Sequence, residues 1–223
     1  MHRIFMGYDP REAVGFHACI QSIISKASKP VEIIPVFGNQ RDGTNAFTYA
    51  RFLVPYMCDY KGSAVFLDGA DMLVREDIIP LFGYASDVTK AVSVVKQEYT
   101  TRQRMKYVGT PMETKNEDYP RKNWSSVMVF NCAHARHRAL HPDTVDSMTG
   151  ASLHRFNWCK SDEIGELHSK WNVLIGEGGE DKPCAIAHFT LGIPAFPNYA
   201  DCLYADEWFV AAKSAMYPMG HSL

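Results

Sequence analysis

Two carboxylates stand where burial should forbid them. Asp68 and Asp71 close the apolar run Ala64-Val65-Phe66-Leu67, and the chain turns apolar again at once in Met72-Leu73-Val74. Burying an unpaired charge costs several kcal/mol, whereas a divalent cation held by hard oxygen ligands offsets both charges and can also clamp a diphosphate. The alternative is that Asp68 and Asp71 cap a helix suggested by Arg75-Glu76-Asp77-Ile78-Ile79, or form an Asx turn; spacing alone does not separate the two. A second apolar run, Ala185-Ile186-Ala187, ends in His188. Alone it reads as a core histidine, but an imidazole with two carboxylates suits manganese, which accepts nitrogen and oxygen ligands.

Positioning such groups requires strand ends that converge, and the first 90 residues supply the pattern. Arg3–Met6, Val31–Phe37 and Ala64–Leu67 read as strands. Between them, Val14, Ala18 and Ile20–Ile24 recur at helical spacing up to Ser28-Lys29-Pro30, and Thr44–Met57 reads as helical, closing near Pro55. Alternating strand and helix predicts parallel βαβ units, which place ligands at the carboxyl ends of their strands. The loops after the first and third strands, Gly7-Tyr8-Asp9-Pro10 and Asp68-Gly69-Ala70-Asp71, should therefore face one crevice. Ala91–Val95 and Val127–Asn131 read as further strands, separated by a long polar stretch, Glu98–Asn123, of a length expected of a lid or binding loop. Ser161–Leu167, Ala185–Phe189 and an amphipathic helix from about Ala200 to Met216 read as a substrate-binding flank and a docked terminal helix.

Composition narrows the class. The 223 residues are 46% hydrophobic and 22% charged, with 23 Lys and Arg against 25 Asp and Glu, a formal net charge of −2. This excludes a mini-protein, a fibre and a disordered chain. The absence of a basic block argues against nucleic acid as the partner. No segment reaches the roughly 18 apolar residues of a membrane span, and the run from Met1 to Met6 is too short for a signal peptide, so a cytoplasmic location is expected. The six cysteines show no Cys-x-x-Cys pair and read as reduced, mostly buried small hydrophobes. Without a repeat or a Pro/Gly-rich linker, one domain is expected: a half of about 1–97, an irregular half of about 98–198 and a terminal helix of about 199–223.

The motifs, taken in order, resemble a GT-A-fold glycosyltransferase, nearest to glycosyltransferase family eight. They are Gly7-Tyr8-Asp9, Tyr49-Ala50-Arg51-Phe52-Leu53-Val54-Pro55, Phe66-Leu67-Asp68-Gly69-Ala70-Asp71, Asn123-Trp124-Ser125-Ser126-Val127-Met128-Val129-Phe130-Asn131, Lys170-Trp171-Asn172 and His188-Phe189-Thr190-Leu191-Gly192-Ile193-Pro194. The resemblance covers about residues 3–197. It implies an α/β fold with a Rossmann-like, mostly parallel sheet, a hexosyltransferase activity on a nucleotide-sugar donor, commonly UDP-linked, Mn2+ or Mg2+, and retention of configuration.

Carried over by position, the resemblance makes Asp68, Asp71 and His188 the metal ligands. It places Gly7, Tyr8, Asp9, Gly69, Ala70 and Gly192 around the nucleotide, with Tyr8 and Asp9 by the base and ribose. Arg51 would hold the acidic loop or the diphosphate, where its planar fork suits either. Asn123, Trp124, Ser125, Ser126, Trp171 and Asn172 would line the sugar and acceptor side, and Asp162 and Glu163 would approach the sugar from the face opposite the metal. The chain departs from the family twice. Gly69-Ala70 separate the aspartates by two residues instead of one, so either a Gly-containing bulge brings both to one ion or only one, Asp71 before Asp68, binds it directly. The lysine that usually follows the histidine is absent, leaving Arg102, Arg104 and Lys106 as candidate diphosphate cations.

His134, His137 and His141 would share one face of a helix over Ala133–Leu140, but Arg136 and Arg138 would repel a cation and Pro142 ends the helix, so they read as a basic surface face. The aromatics Tyr199, Tyr204, Trp208, Phe209 and Tyr217 fit a docked helix, with at most peripheral membrane contact. The acceptor stays open among a glycan, a lipid-linked intermediate and a small molecule. Two other functions also stay open: a sugar nucleotidyltransferase, which should carry a Gly-rich basic loop after the first strand, and a nucleotide- or glycan-binding protein without catalysis.

Overall fold

The computed structural model describes residues 1–38, 41, 45–179 and 181–216. A six-stranded sheet forms its centre, in the spatial order β2 (Val31–Val36), β1 (His2–Gly7), β3 (Ser63–Leu67), β8 (Val127–Asn131), β5 (Val92–Val94) and β9 (Ile164–Glu166). Five strands run one way and β8 runs against them. A three-stranded sheet, β10 (Val173–Leu174), β11 (Ile186–His188) and β4 (Met72–Val74), stands beside it, and β6 (Met105–Lys106) pairs β7 (Thr114–Lys115) as a hairpin. The expected strands are all present, and the architecture is α/β with a mostly parallel sheet between helices.

The central strands are buried on both faces, which is why β3 reads as an unbroken apolar run instead of alternating. On one face Phe5, Phe66, Met128 and Phe130 pack against Phe52, Phe156 and Trp158; on the other Ile4, Val65, Leu67 and Val129 meet helix α1 (Ala13–Ile24) through Phe16, Cys19 and Ile23. A 3-10 turn, Pro10–Glu12, leads into that helix; Asp9 caps the turn by accepting the Arg11 N–H at 3.0 Å, with Pro10 at its start. The terminal helix α5 (Ala205–Met216) packs on α1 and buries Trp208, Ala211 and Ala212.

Two expected helices change character. The stretch ending at Met57 is a turn, a 3-10 segment over Ala50–Leu53 and one short helix, α2 (Val54–Met57); Thr44 lies outside the described residues. Pro55 is tolerated because it sits in the first turn of α2. The helix supposed at Arg75–Ile79 is absent, since Met72–Val74 is a strand and Asp77 accepts from the Ile79 and Ser28 N–H groups at 3.1 Å instead. Asp68 and Asp71 therefore cap no helix there. Two short helices, α3 (Pro142–Ser147) and α4 (Gly150–His154), follow β8.

Helix α1 crosses directly behind the acidic turn, and a Cβ at Gly15 would stand 1.9 Å from the Ala70 carbonyl oxygen. In an open helix, alanine for glycine stabilises by about 0.5–1 kcal/mol. Here the sign should reverse: Gly15→Ala is expected to cost about 1–3 kcal/mol through overpacking. Urea unfolding measures it, and a gain in stability would show that the turn does not rest on this helix.

Candidate metal centre and donor cavity

Sheet register assembles the site. At the end of β3 the ladder to β8 continues one step further, where the Asp68 N–H donates to the Ser126 carbonyl at 2.9 Å. Gly69 then adopts φ +77°, and the Ala70 N–H returns to the Asp68 carbonyl at 2.8 Å. This turn is the Gly-containing bulge, the first of the two alternatives. It delivers the chain into β4, whose antiparallel pairing with β11 sets His188 opposite Met72, and the Phe189 N–H closes on the Asp71 carbonyl at 2.8 Å. As a result one ligand atom from each of Asp68, Asp71 and His188 lies within 4.8 Å of the others, all three buried.

Their charges are tightly balanced. Burial disfavours the charged form of each. Burial pushes the Asp68 carboxyl up, and the adjacent Asp71 adds to this, against the Arg51 guanidinium to which Asp68 is hydrogen-bonded. At Asp71 burial is outweighed by His188, which holds the carboxyl below its ordinary range; the imidazole is raised in turn, Asp71 and Asp68 overcoming its burial. Arg51, only 5% exposed, also donates to the carbonyls of Ser125 at 3.1 Å and Thr48 at 3.2 Å, so its Nε and Nη1 are engaged in fixing the acidic turn.

The donor set fits a divalent cation. The Asn172 amide nitrogen donates to the Asn123 carbonyl at 3.0 Å, which turns its oxygen to His188 Nδ1 at 2.9 Å and places the ring proton there. Nε2 then points its lone pair at Asp71 Oδ2, 3.2 Å away, and two facing acceptors need a proton or a cation between them. The other Asp71 oxygen, Oδ1, is buried without a hydrogen-bond partner. An orphaned carboxylate oxygen, a second carboxylate and an oriented imidazole form a manganese-type set.

A cavity of about 810 Å³ opens from this cluster, lined among others by Arg11, Asn45, Arg51, Lys106, Ser125, His154 and Thr190. Its roof is the β6–β7 hairpin. That hairpin is tied down by the Tyr107 N–H on the Leu191 carbonyl at 2.6 Å, the Val108 N–H on the Tyr199 hydroxyl at 2.8 Å, and Asn198 Nδ2 on the Val108 carbonyl at 2.9 Å.

An α/β sheet of this order, with an aspartate pair at the end of β3 and a histidine from the neighbouring small sheet, is the GT-A-type glycosyltransferase fold. The bifunctional glycosyltransferase WbbM superposes with a TM-score of 0.59 at 17% identity, over 95% of this chain and 49% of that one, so this chain spans about half of WbbM. The galactosyltransferase LgtC, solved with donor and acceptor sugar analogues, gives 0.58 at 16% identity over 95% of both chains. No protein-family model matches. Protein CDI of Arabidopsis thaliana is 37% identical over 225 residues, covering 92% of this chain and 84% of its own, and the chain belongs to the family of that protein.

Of the residues singled out in sequence, Asp68, Asp71, His188, Arg51, Asn123, Ser125 and Ser126 meet around this cavity. Gly7, Tyr8, Asp9, Gly69, Ala70 and Gly192 do not line it. A Cβ at Gly7 would strike the Phe47 ring, Tyr8 packs edge-on to Phe16, and Gly192 lies under the Tyr199 ring. Asp9, 1% exposed, spends both oxygens on Arg11 and the Ala46 N–H, so Arg11 is the group presented to the cavity. Trp124 donates its indole N–H to the Gln97 carbonyl, Trp171 is core, and the Asn172 carboxamide is consumed by His188 and Asn123. Among the candidate cations only Lys106 reaches the cavity; Arg102 lines a second one and Arg104 is exposed.

The histidine face also needs correction, since His137 is fully buried and joins the Ala91 carbonyl at 2.8 Å, its pKa lowered to about 4 by burial. Glu12 escaped notice because an acid in a first helical turn looks like ordinary dipole compensation. It is 1% exposed, its Oε1 has no partner, and burial, then Asp71, lift its pKa to about 8.

Asp162 and Glu163 lie elsewhere. They precede β9, which runs parallel to β5 with Val92 opposite Ile164, so they sit at the amino ends of the strands, across the sheet from the cavity. Glu163 is held by Arg136 at 2.8 and 3.0 Å, which draws its pKa down to about 2. A depressed carboxyl contributes stability above its unfolded pKa of about 4.3 and loses it as pH falls toward 2. Glu163→Gln should cost about 1 kcal/mol at pH 7 with the cost vanishing near pH 2, read by denaturant titration at several pH values, and should leave metal binding unchanged.

Proposed function

We propose that the protein is a metal-dependent glycosyltransferase that takes a sugar from a nucleotide diphosphate donor, UDP-linked, and passes it to an acceptor hydroxyl. The observation that carries this reading is the convergence of Asp68, Asp71 and His188, from the two ends of one turn and from a second sheet, at the mouth of an 810 Å³ cavity. The solved neighbour LgtC, described as a galactosyltransferase, was seen with donor and acceptor sugar analogues, which supports the reading through fold. The resemblance to family eight adds manganese or magnesium and retention of configuration, the latter read by NMR of the product anomer.

In the reaction, the acceptor oxygen bonds to the anomeric carbon as the bond from that carbon to the diphosphate breaks; the diphosphate leaves with the electron pair, and the acceptor hydroxyl's proton passes to the departing diphosphate oxygen. A divalent ion bound by Asp68, Asp71 and His188 would offset the charge that develops on the leaving group. Asn172 fixes the imidazole so that only Nε2 is offered, and Arg51 holds Asp68 in the turn. Lys106, brought over the cavity by the hairpin, supplies a mobile positive charge for the diphosphate in place of the family's lysine. The same hairpin limits access of water to the cavity. The acidic turn at Gly69 brings both carboxylates toward His188, which supports a metal-binding reading, and the loop after β1 is a 3-10 turn with one glycine, which favours a transferase over a nucleotidyltransferase.

The test is a donor panel. With manganese present, one UDP-sugar should be hydrolysed slowly to free UDP without added acceptor. Asp71→Ala should lower that rate by about a hundredfold or more, and Lys106→Met by about ten- to a hundredfold, with circular dichroism unchanged. No release of nucleoside diphosphate from any donor, or full activity in Asp71→Ala, would remove the proposal.

A further inference from the structure

Beside the acidic turn, the donor cavity carries a pair of side chains that the metal centre does not use. Ser125 Oγ and His154 Nδ1 lie 2.6 Å apart, and both residues line the cavity. Ser125 sits in the 3-10 turn Trp124–Ser126 that enters β8, and its carbonyl accepts from Arg51 Nη1 at 3.1 Å. The next carbonyl, that of Ser126, accepts the Asp68 N–H, so the pair is tied to the turn that carries the aspartates. His154 closes α4, and the buried Phe52 ring meets its imidazole edge-on, 5.2 Å between centroids. The imidazole is thus fixed at one nitrogen by a hydroxyl and along one side by an aromatic ring.

A count of protons decides what the other nitrogen offers. Burial, and then the charge of Arg51, lower the imidazole to a pKa of about 3, so it is neutral, with one N–H and one lone pair. Were Nδ1 to carry the proton and donate to Ser125, the serine proton would need an acceptor of its own. Ser125 is 4% exposed, and its hydroxyl meets no other partner among the described residues. With the serine donating to Nδ1, both groups are satisfied and the ring proton falls on Nε2. No described residue accepts from Nε2, and, unlike Asp71 Oδ1, this atom is not sealed from solvent, so its N–H opens to the cavity.

Sheet order places this donor relative to the metal centre. Arg11 follows β1 and Asn45 follows β2, on one side of the β3 turn, whereas Ser125 leads into β8, on the other. A nucleotide sugar with its diphosphate at the β3 turn extends one end to each side. Arg11 on the β1 side suits an anion, while Asn123, Ser125 and His154 on the β8 side are uncharged; Arg155 and Lys115 also border the cavity, but both are exposed to water. A diphosphate gains little from a neutral donor where Arg11, Lys106 and a divalent ion are at hand. A sugar hydroxyl accepts a neutral N–H in full and carries no charge to be desolvated. We propose that His154, with Ser125 as its positioning residue, donates through Nε2 to one hydroxyl of the transferred sugar and so selects which sugar is taken. The inference rests on the transferase reading for the ligand, and on the Ser125–His154 pair for the residue.

The experiment is calorimetry on the full chain with manganese and no acceptor. The titrants are UDP, UDP-glucose, UDP-galactose, UDP-N-acetylglucosamine and UDP-xylose, then the single-position deoxy analogues of the tightest UDP-sugar. The wild type should bind one UDP-sugar more tightly than UDP, and one deoxy analogue about tenfold more weakly than its parent. In His154→Phe, which keeps a ring without the donor, the parent should weaken about tenfold, that deoxy analogue should weaken no further, and UDP should be unchanged. His154→Gln, whose amide nitrogen reaches the Nε2 position, should keep most of the preference, with circular dichroism unchanged. Equal weakening of UDP and UDP-sugar in His154→Phe, a folded His154→Gln that fails as His154→Phe does, or a wild type indifferent to every hydroxyl overturns the proposal. A preference for one UDP-sugar that survives His154→Phe removes this inference and leaves the transferase reading standing, whereas a wild type that binds no UDP removes both.

Discussion

Everything near the site follows from the problem of placing two carboxylates at the end of a fully buried strand. Neither can keep its water, and each is compensated differently. Asp68 is matched by a permanent cation, Arg51, whose Nε and Nη1 also donate to backbone carbonyls. Asp71 is matched by an imidazole whose ring proton faces away toward Asn172, leaving a lone pair opposite a carboxylate oxygen. The first pair carries its own counter-charge, although burial still pushes the Asp68 carboxyl up. The second is closed only when a proton or a metal ion sits between its acceptors, and that incomplete balance separates a binding centre from a structural ion pair.

The backbone makes this possible through close approach rather than through flexible side chains. Three chain segments cross within a few ångströms: the end of β1, the acidic turn and the first turns of α1. A Cβ at Gly69 would lie 2.9 Å from the Gly7 carbonyl oxygen, and one at Gly15 would overlap the Ala70 carbonyl. With no side chains in the way, the carbonyl and amide groups of the turn are held by ladder rungs at both ends, on Ser126 and on Phe189. A ligand set fixed by two sheets loses little entropy on binding, which is the condition for a tight and selective cation site.

Much of this could be read from residue order, because buried parallel strands write themselves as apolar runs and because strand polarity puts function at carboxyl ends. Asp68, Asp71 and His188 were found through that rule. The same rule, applied to the segment around Ile164, sets aside Asp162 and Glu163, which precede their strand, and points to Glu166, which ends it; only the family resemblance, not strand polarity, speaks for the first two. Asn172 looked like a sugar-side residue because asparagine beside tryptophan says nothing about which neighbour its amide meets. Its role depends on a bond to a residue 16 positions away. The burial of Glu12 and His137 is hidden for a related reason: the sequence shows a charge or an imidazole in a polar context, while burial is decided by what packs over it from another part of the chain.

The missing lysine after His188 has a structural answer in the same terms. Where glycosyltransferase family eight, which the motifs resemble, has a lysine after the histidine, this chain has Thr190 and Leu191. The Leu191 carbonyl accepts the N–H of Tyr107, and Lys106 is the residue just before it. Tyr107 takes φ +56° and is buried among Glu12, Asp71 and Asp68, so the hairpin strand is pressed into the cavity roof at that point. The post-histidine segment thus holds a backbone acceptor instead of a charge, and the acceptor recruits a loop that carries the charge. A cation delivered by a hairpin can withdraw when the hairpin lifts, whereas one on a core strand cannot. Binding of a diphosphate beneath Lys106 would accordingly favour the closed hairpin by whatever affinity the closed state gains, and release of the nucleotide would require that gain to be given back.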